Sequence, residues 1–356
     1  MNNRNQVLFP LLTWSVVLVT LLGGITLLPQ FFRQSSRQNL SRALEPSSTS
    51  ENHESNSVLA SIAGSIRDVE SVPVGLYNYG GSATMVPIRQ AIEPVVEETF
   101  PQFQLRYTNP VNTSPSSGLG IDMLISGALA FSDSSRPIRP AEYEAASQRG
   151  FELQQIPVAI DGIAVVVDPE LDLDGLTIEQ LSSIYKGQVT NWSEVGGPDL
   201  EIQPLSMSPS TSGTASFFVQ TILDGEDFGA RVAIVSETTP TLRQLADNPG
   251  SIYYASASLV VPQCSVKTLP IASSKGRPFV PPYQTPPADT EDCPQQRNQL
   301  NLETFRTGTY PLTRRLFVVA KKDEMNDGLA GQAYTDILLS AEGQALIEEA
   351  GFVRIR

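Results

Sequence analysis

The chain has 356 residues, 40% of them hydrophobic and 17% charged, enough apolar material to bury the cores of two domain-sized units. A net charge of -14 and a pI near 4.6 exclude a nucleic-acid partner, because phosphate neutralisation needs a basic face. An acidic protein can still bind a small anion, provided that local dipoles and a single cation work against its long-range field.

In chain order, the first feature is an apolar run. No charged residue occurs from Val7 to Phe32, and the run includes Leu11, Trp14, Val17, Leu21, Ile25 and Leu28. As a helix it is long enough to cross a bilayer core of ~30 Å, so residues 1–33 are expected to form one transmembrane helix. No small-x-small cleavage site follows Leu28 and no cysteine lies nearby for a lipid, so an uncleaved membrane anchor is favoured over a removed signal segment. Arg4 precedes the run and Arg33, Arg37 and Arg42 follow it, so the positive-inside rule alone would leave the C-terminal portion in the cytoplasm.

Residues 34–70 read as a flexible polar linker. Gln34 to Ser57 is rich in Ser, Asn, Gln and Glu and cannot bury enough surface to offset its ordering entropy, and Val58 to Val69 is expected to be a short lead-in helix. The only histidine, His53, lies in this linker. Its position removes Ser-His catalysis and His-based metal sites from the globular region.

The globular region begins near residue 71. Val72 to Tyr77 reads as a buried strand, followed by Tyr79-Gly80-Gly81-Ser82-Ala83-Thr84 and a helical pattern from Met85 to Phe100. Phe103 to Tyr107 alternates as a strand does, and Ser114 to Gly120 leads into another helix. Ala128 to Phe131 is expected to be a short buried strand, with Ser132 to Pro137 as its loop and Pro140 to Arg149 as the next helix. Gln155 to Val167 is nearly continuous strand material, with Asp161 and Gly162 marking a bend where the chain crosses between lobes. Further on, Leu176 to Tyr185 is a helix capped by Thr177, Ile202 to Leu205 a strand, and Ser210 to Ser216 a hydroxyl-rich loop entering a helix marked by Phe217, Phe218, Ile222 and Leu223. Glu237 to Asp247 reads as a polar helix, Gly250 to Tyr254 as a strand entry, Tyr310 through Ala320 as a late strand, and Ser340 as the cap of the last helix. Four times a strand feeds a Ser/Thr/Gly loop that opens a helix. Backbone N–H groups without intrahelical partners and the helix dipole make each such loop an anion-binding element, and β/α alternation gathers them at the carboxyl ends of strands.

Eight segments then carry a family resemblance. They are Tyr79-Gly80-Gly81-Ser82, Ser117-Gly118-Leu119-Gly120-Ile121, Phe131 to Pro137, Ile160 to Val165, Ile184-Tyr185-Lys186-Gly187 with Asn191-Trp192, Ser212-Gly213-Thr214, Tyr310-Pro311-Leu312-Thr313-Arg314, and Glu342-Gly343-Gln344 with Gly351-Phe352-Val353. From about Val72 to the C-terminus the chain resembles the substrate-binding proteins of phosphate ABC transporters. The resemblance implies an α/β, two-lobed, type II periplasmic-binding-protein fold with mixed sheets and two interlobe crossings, lobe 1 covering about 71–157 and 310–356 and lobe 2 about 158–309. It also implies an extracytoplasmic domain at the inner membrane, against the charge rule, that binds inorganic phosphate and delivers it to an ABC permease. The alternative reading is a membrane-tethered oxyanion sensor or protein scaffold built on the same fold. An enzyme is disfavoured, and neither a cofactor nor a metal is implied, because the chain has no Gly-Lys-Ser/Thr phosphate loop, no dinucleotide fingerprint and no histidine in the domain.

Carried over position by position, the phosphate contacts implied are Ser82, Ala83 and Thr84, then Ser116 and Ser117, then Ser134 and Ser135, and finally Ser212, Gly213 and Thr214. Two departures stand out. Ser206 to Pro209 occupies the stretch where many family members carry an Arg, and Ser135 stands where some carry a proton-accepting Asp. Arg136 is the candidate replacement cation, and Asp133 or Asp161 the candidate acceptor. A buried carboxylate would favour protonated phosphate over sulfate. Cys264 and Cys293 are expected to form a disulfide in an exported protein, with two separate buried thiols as the alternative; they are too few for a zinc site.

Overall fold

Backbone hydrogen bonding in the computed structural model, which describes residues 64–288, 292–323 and 325–356, resolves the chain into alternating strands and helices. In order these are β1 (Gly75–Gly81), α1 (Val86–Thr99), β2 (Phe103–Tyr107), α2 (Ser117–Ser126), β3 (Phe131–Ser134), α3 (Pro140–Gln148), β4 (Leu153–Val167), β5 (Leu176–Thr177) and α4 (Ile178–Tyr185). There follow β6 (Gln203–Met207), α5 (Gly213–Ile222), β7 (Ala233–Val235), α6 (Thr238–Ala246), β8 (Ser251–Ser256), α7 (Ala257–Val260), β9 (Lys267–Leu269), β10 (Ile271–Ala272), α8 (Leu302–Arg306), β11 (Thr313–Lys321), α9 (Asn326–Leu339) and α10 (Ala341–Glu349). The expected transmembrane helix at 1–33 and most of the linker lie outside the described residues. Among the described residues no helix is long and apolar enough to cross a membrane.

Packing begins a little before residue 71. Ser65 caps a single 3-10 turn, Ile66–Asp68, and Glu342 at the start of α10 accepts from the Ser65 hydroxyl at 2.7 Å and from the Ile66 N–H at 2.9 Å. Ile66 and Val69 are buried in the adjacent core, so the end of the linker region is held against the domain.

The strands form a curled mixed sheet in the order β2-β1-β3-β11-β4-β8-β6-β7, with β9 also pairing with β4. β1, β2 and β3 are parallel, as βαβ crossovers require, whereas β11 runs antiparallel to both β3 and β4. The long β4 changes partner along its length. Residues up to Gly162 pair with β11, and Ile163 to Val167 pair with β8. The change falls at the Asp161-Gly162 position expected to be a crossing, and Gly162 is required there by close approach: a Cβ would lie 2.6 Å from the Phe305 ring.

Two hydrophobic cores lie on either side of this crossing. One packs β1–β3, the first half of β4, α1, α9 and α10 around stacked Tyr79, Phe131 and Tyr334, with ring centroids 5.0 and 4.8 Å apart. The other runs from Ile163 to Leu312 around Tyr185, Phe218 and Tyr254, the last two stacked at 3.9 Å. These are the first and second lobes of a mixed α/β two-lobed fold, joined by β4 and β11. Cys264, between α7 and β9, and Cys293, between β10 and α8, are bonded, with their Cα atoms 5.9 Å apart, so the disulfide closes a loop that contains β9 and β10.

β3 differs from its expected position. The strand occupies Phe131–Ser134 rather than Ala128 to Phe131, because Gly127 adopts a left-handed conformation at the end of α2 and Ala128 and Leu129 complete the turn. The polar Ser132 and Asp133 are inside the sheet, paired on one side with β1 and on the other with β11, and Ser134 pairs with β11.

Candidate functional site

Three chain reversals at strand carboxyl ends are closed by serine caps. The Ser82 hydroxyl oxygen accepts from the Thr84 N–H at 3.3 Å after β1, Ser116 accepts from Leu119 at 3.3 Å at the start of α2, and Ser212 accepts from Ala215 at 3.2 Å at the start of α5. Each cap uses an acceptor position only, so each hydroxyl retains its O–H to donate to an anion. Ser82 and Ser116 belong to the first lobe and Ser212 to the second. All three line one interlobe cavity of about 310 Å³, together with Ala83, Thr84, Gly213, Thr214, Tyr254 and Ser256.

A buried cation that was not among the expected phosphate contacts lies behind the cavity wall, at the end of the Tyr310-to-Arg314 segment; it does not itself line the cavity but bonds to two threonines that do. Arg314, near the start of β11, is 5% exposed, and its Nη2 donates to Thr84 Oγ1 at 3.1 Å in the first lobe and to Thr214 Oγ1 at 2.8 Å in the second. Nη1 has no hydrogen-bond partner among the described residues. On its other side Arg314 donates from Nε and Nη2 to Asp161 Oδ2, at 3.0 and 2.9 Å, while Ser256 donates to Asp161 Oδ1 at 2.5 Å. Burial raises the Asp161 pKa and lowers that of Arg314, and the attraction between the two opposes both shifts.

Several expected contacts lie elsewhere. Arg136 is committed to Glu142, with Nη1 2.9 Å and Nη2 2.5 Å from its two carboxylate oxygens, and also donates to the Pro137 carbonyl at 2.9 Å. Glu142 is held in place because its Oε2 also accepts from the Arg139 N–H at the start of α3. Ser134 turns onto the backbone of Arg136, donating to its carbonyl at 2.7 Å. Ser117 accepts from the Ser135 N–H at 3.0 Å, and the two hydroxyls lie 3.1 Å apart. Ser117, Ser134, Ser135 and Arg136 are therefore adjacent to the cavity but not among the residues that line it.

Neither candidate acceptor lines the cavity. Asp161 is taken up by Arg314 and Ser256 behind the wall. Asp133 points into the first lobe, where Arg89 Nε is 4.0 Å from its Oδ2 and neither oxygen has a hydrogen-bond partner among the described residues. Burial pushes the Asp133 carboxyl up to about 7, partly offset by Arg89 and reinforced by Glu93.

With this geometry in hand, residues 80–342 match the PBP superfamily domain. The chain belongs to the PBP superfamily. Among individual relatives, this PBP-superfamily chain is 27% identical over 272 residues to the phosphate-binding protein PstS of Staphylococcus epidermidis, a match covering 74% of this chain and 75% of that protein. Its fold is similar to that of a Clostridium perfringens protein solved with bound phosphate, with a TM-score of 0.63 and 22% identity over 79% of this chain and all of the other. It is also similar to an ABC-type phosphate transport receptor from Vibrio cholerae, with a TM-score of 0.58 and 22% identity over 78% and 99% of the two chains.

Proposed function

We propose that this protein is a receptor, not an enzyme, that binds inorganic phosphate between its lobes on the extracytoplasmic side of the membrane and delivers it to an ABC-type permease. The observation that carries this reading is the convergence of serine-capped turns from both lobes on one cavity, with Arg314 behind its wall bonded to a lining threonine of each lobe. The names of the staphylococcal relative and of the two similar structures support the same ligand.

In this reading Ser82, Ala83, Thr84, Ser116, Ser212, Gly213 and Thr214 supply the hydroxyl and backbone donors, and Arg314 supplies the charge that the stretch Ser206 to Pro209 lacks. Ser117 and Ser135 act at the seam between the lobes. The lobe division follows the two cores, at Gly162–Ile163 in β4 and just after Leu312 ahead of β11, a few residues beyond the 157/158 and 309/310 boundaries that the resemblance implies, so that β4 and β11 are the segments across which closure occurs. Residues 1–33 anchor the domain and 34–70 tether it.

Calorimetry on the full chain in a detergent without phosphate groups tests the reading. One-to-one heat release with inorganic phosphate is expected. Folded protein that gives no heat with phosphate, arsenate or sulfate would overturn it.

A further inference from the structure

The cavity remains large although the lobes already touch. Gly213 sits so close to the first lobe that a Cβ there would be 2.2 Å from Ser135 Oγ and 2.7 Å from Ser117 Oγ. Arg139 of the first lobe donates to Ser216 of α5 at 2.9 Å, and Arg314 reaches both Thr84 and Thr214. The remaining 310 Å³ is on the order of ten water volumes at ~30 Å³ each, whereas a five-atom oxyanion displaces only about two or three.

The wall of this space is mixed in character. Met207, Tyr253 and Leu259 contribute apolar surface that a bare, fully hydrogen-bonded anion does not use. The cavity also adjoins a groove of about 480 Å³ between the loop after β6 and the start of α6, and Thr211, Ser236 and Glu237 line both spaces. Among the described residues, Glu237 is the only charged one that lines either space. It is exposed, makes no side-chain cap to α6, and has no ion-pair partner among the described residues. A carboxylate at that junction repels a second negative charge and attracts an ammonium group.

We propose that the site accepts small zwitterionic organophosphates, namely phosphate monoesters or phosphonates with a short amine-bearing arm. This rests on the phosphate-site reading above. The phosphoryl end takes the serine, threonine and Arg314 donors, the methylenes pass the Met207 and Tyr253 surface, and the ammonium group reaches Glu237 where cavity and groove meet.

The test is calorimetry on the full chain in the same detergent, with inorganic phosphate, O-phosphoethanolamine and glycerol phosphate as probes, and inorganic phosphate as competitor. Phosphoethanolamine is expected to bind competitively with phosphate and about three- to fivefold more tightly than glycerol phosphate at low salt, the size expected of one solvent-accessible ion pair. Glu237→Gln is expected to bring the ratio of the two ester affinities close to unity. If phosphate binds and phosphoethanolamine does not, the inference is overturned and the phosphate reading stands. If neither binds, both fail. If both esters bind equally and the ratio is the same in Glu237→Gln, the role given to Glu237 is overturned.

Discussion

Arg314 and Asp161 face each other from the two strands that join the lobes, with the guanidinium Nε and Nη2 3.0 and 2.9 Å from one carboxylate oxygen and both side chains almost fully buried. Asp161 fixes the plane of the guanidinium, and that plane brings Nη2 to the threonines of both lobes. The pair thus combines a structural and a ligand role, which double substitution separates. Arg314→Met is expected to weaken phosphate binding about ten- to a hundredfold, the equivalent of one or two charge-assisted hydrogen bonds. It is also expected to cost about 3–5 kcal/mol of stability, because Asp161 is left as an unpaired buried charge. Adding Asp161→Asn should recover much of the stability, read from urea unfolding, without recovering affinity. Recovery of both would assign Arg314 a purely structural role.

Arg136 is expected to behave in the opposite way. Its forked contact with Glu142 and its bond to the Pro137 carbonyl keep it turned toward α3. Arg136→Ala should therefore change the phosphate dissociation constant by less than about threefold while lowering stability by about 1–3 kcal/mol, as expected for removing one partner of a mostly buried ion pair. A large loss of affinity with unchanged stability would place the guanidinium in the anion site after all.

What could be read from the chain follows how local each signal is. Thr177 with Gln180, Ser212 and Ser340 are caps whose partners lie three residues away, and all three start helices where their spacing predicts. α9 had no such signal: Gly328 and Gly331 dilute its apolar stripe, and it is buried because Gly331 lets it lie flush on the sheet, where a Cβ would come within 2.5 Å of the Ala320 side chain. Arg314 is the extreme case. Its partners Thr84, Asp161 and Thr214 are 230, 153 and 100 residues away in sequence, so although Tyr310-Pro311-Leu312-Thr313-Arg314 carries part of the family resemblance, nothing local shows that the guanidinium reaches both lobes. Arg136 misled for the converse reason, since it directly follows the serine loop but pairs with Glu142 six residues on.

Gly213 offers a direct probe of lobe contact. A methyl group there would meet Ser135 Oγ at 2.2 Å and Ser117 Oγ at 2.7 Å, both fixed by their mutual hydrogen bonding. Gly213→Ala is expected to hold the lobes slightly apart and to weaken phosphate binding about tenfold, a cost in the range of overpacking a tight contact. Small-angle scattering should show a larger radius of gyration with phosphate present than for the unsubstituted protein. Because Ser135 Oγ is the nearer obstacle, Ser135→Gly in the same chain should restore part of the affinity. Wild-type affinity in Gly213→Ala alone would argue that ligand binding does not need this contact.

Asp133 makes a prediction about pH. Its carboxyl is pushed from an ordinary value of 3.8 up to about 7, chiefly by burial, and the charged and titratable groups around it are Arg89 and Glu93 on α1, Tyr79 and Tyr107 on the neighbouring strands and Tyr334 on α9. Between those two pH values the folded chain holds a proton that the unfolded chain has released. Stability therefore falls as pH rises through that window, and the contribution, on the order of a few kcal/mol, is fully lost above the folded-state value. Asp133→Asn cannot titrate, so its urea midpoint should gain on that of the unsubstituted protein between about pH 5 and about pH 8. Because Asp133 also accepts the Ser82 N–H through its backbone carbonyl at 3.0 Å, phosphate affinity measured at the two pH values would report whether the ionised carboxyl disturbs the first anion loop. Parallel stability curves for the two proteins would mean that Asp133 is ionised throughout this range, held by Arg89 more tightly than a 4.0 Å separation implies.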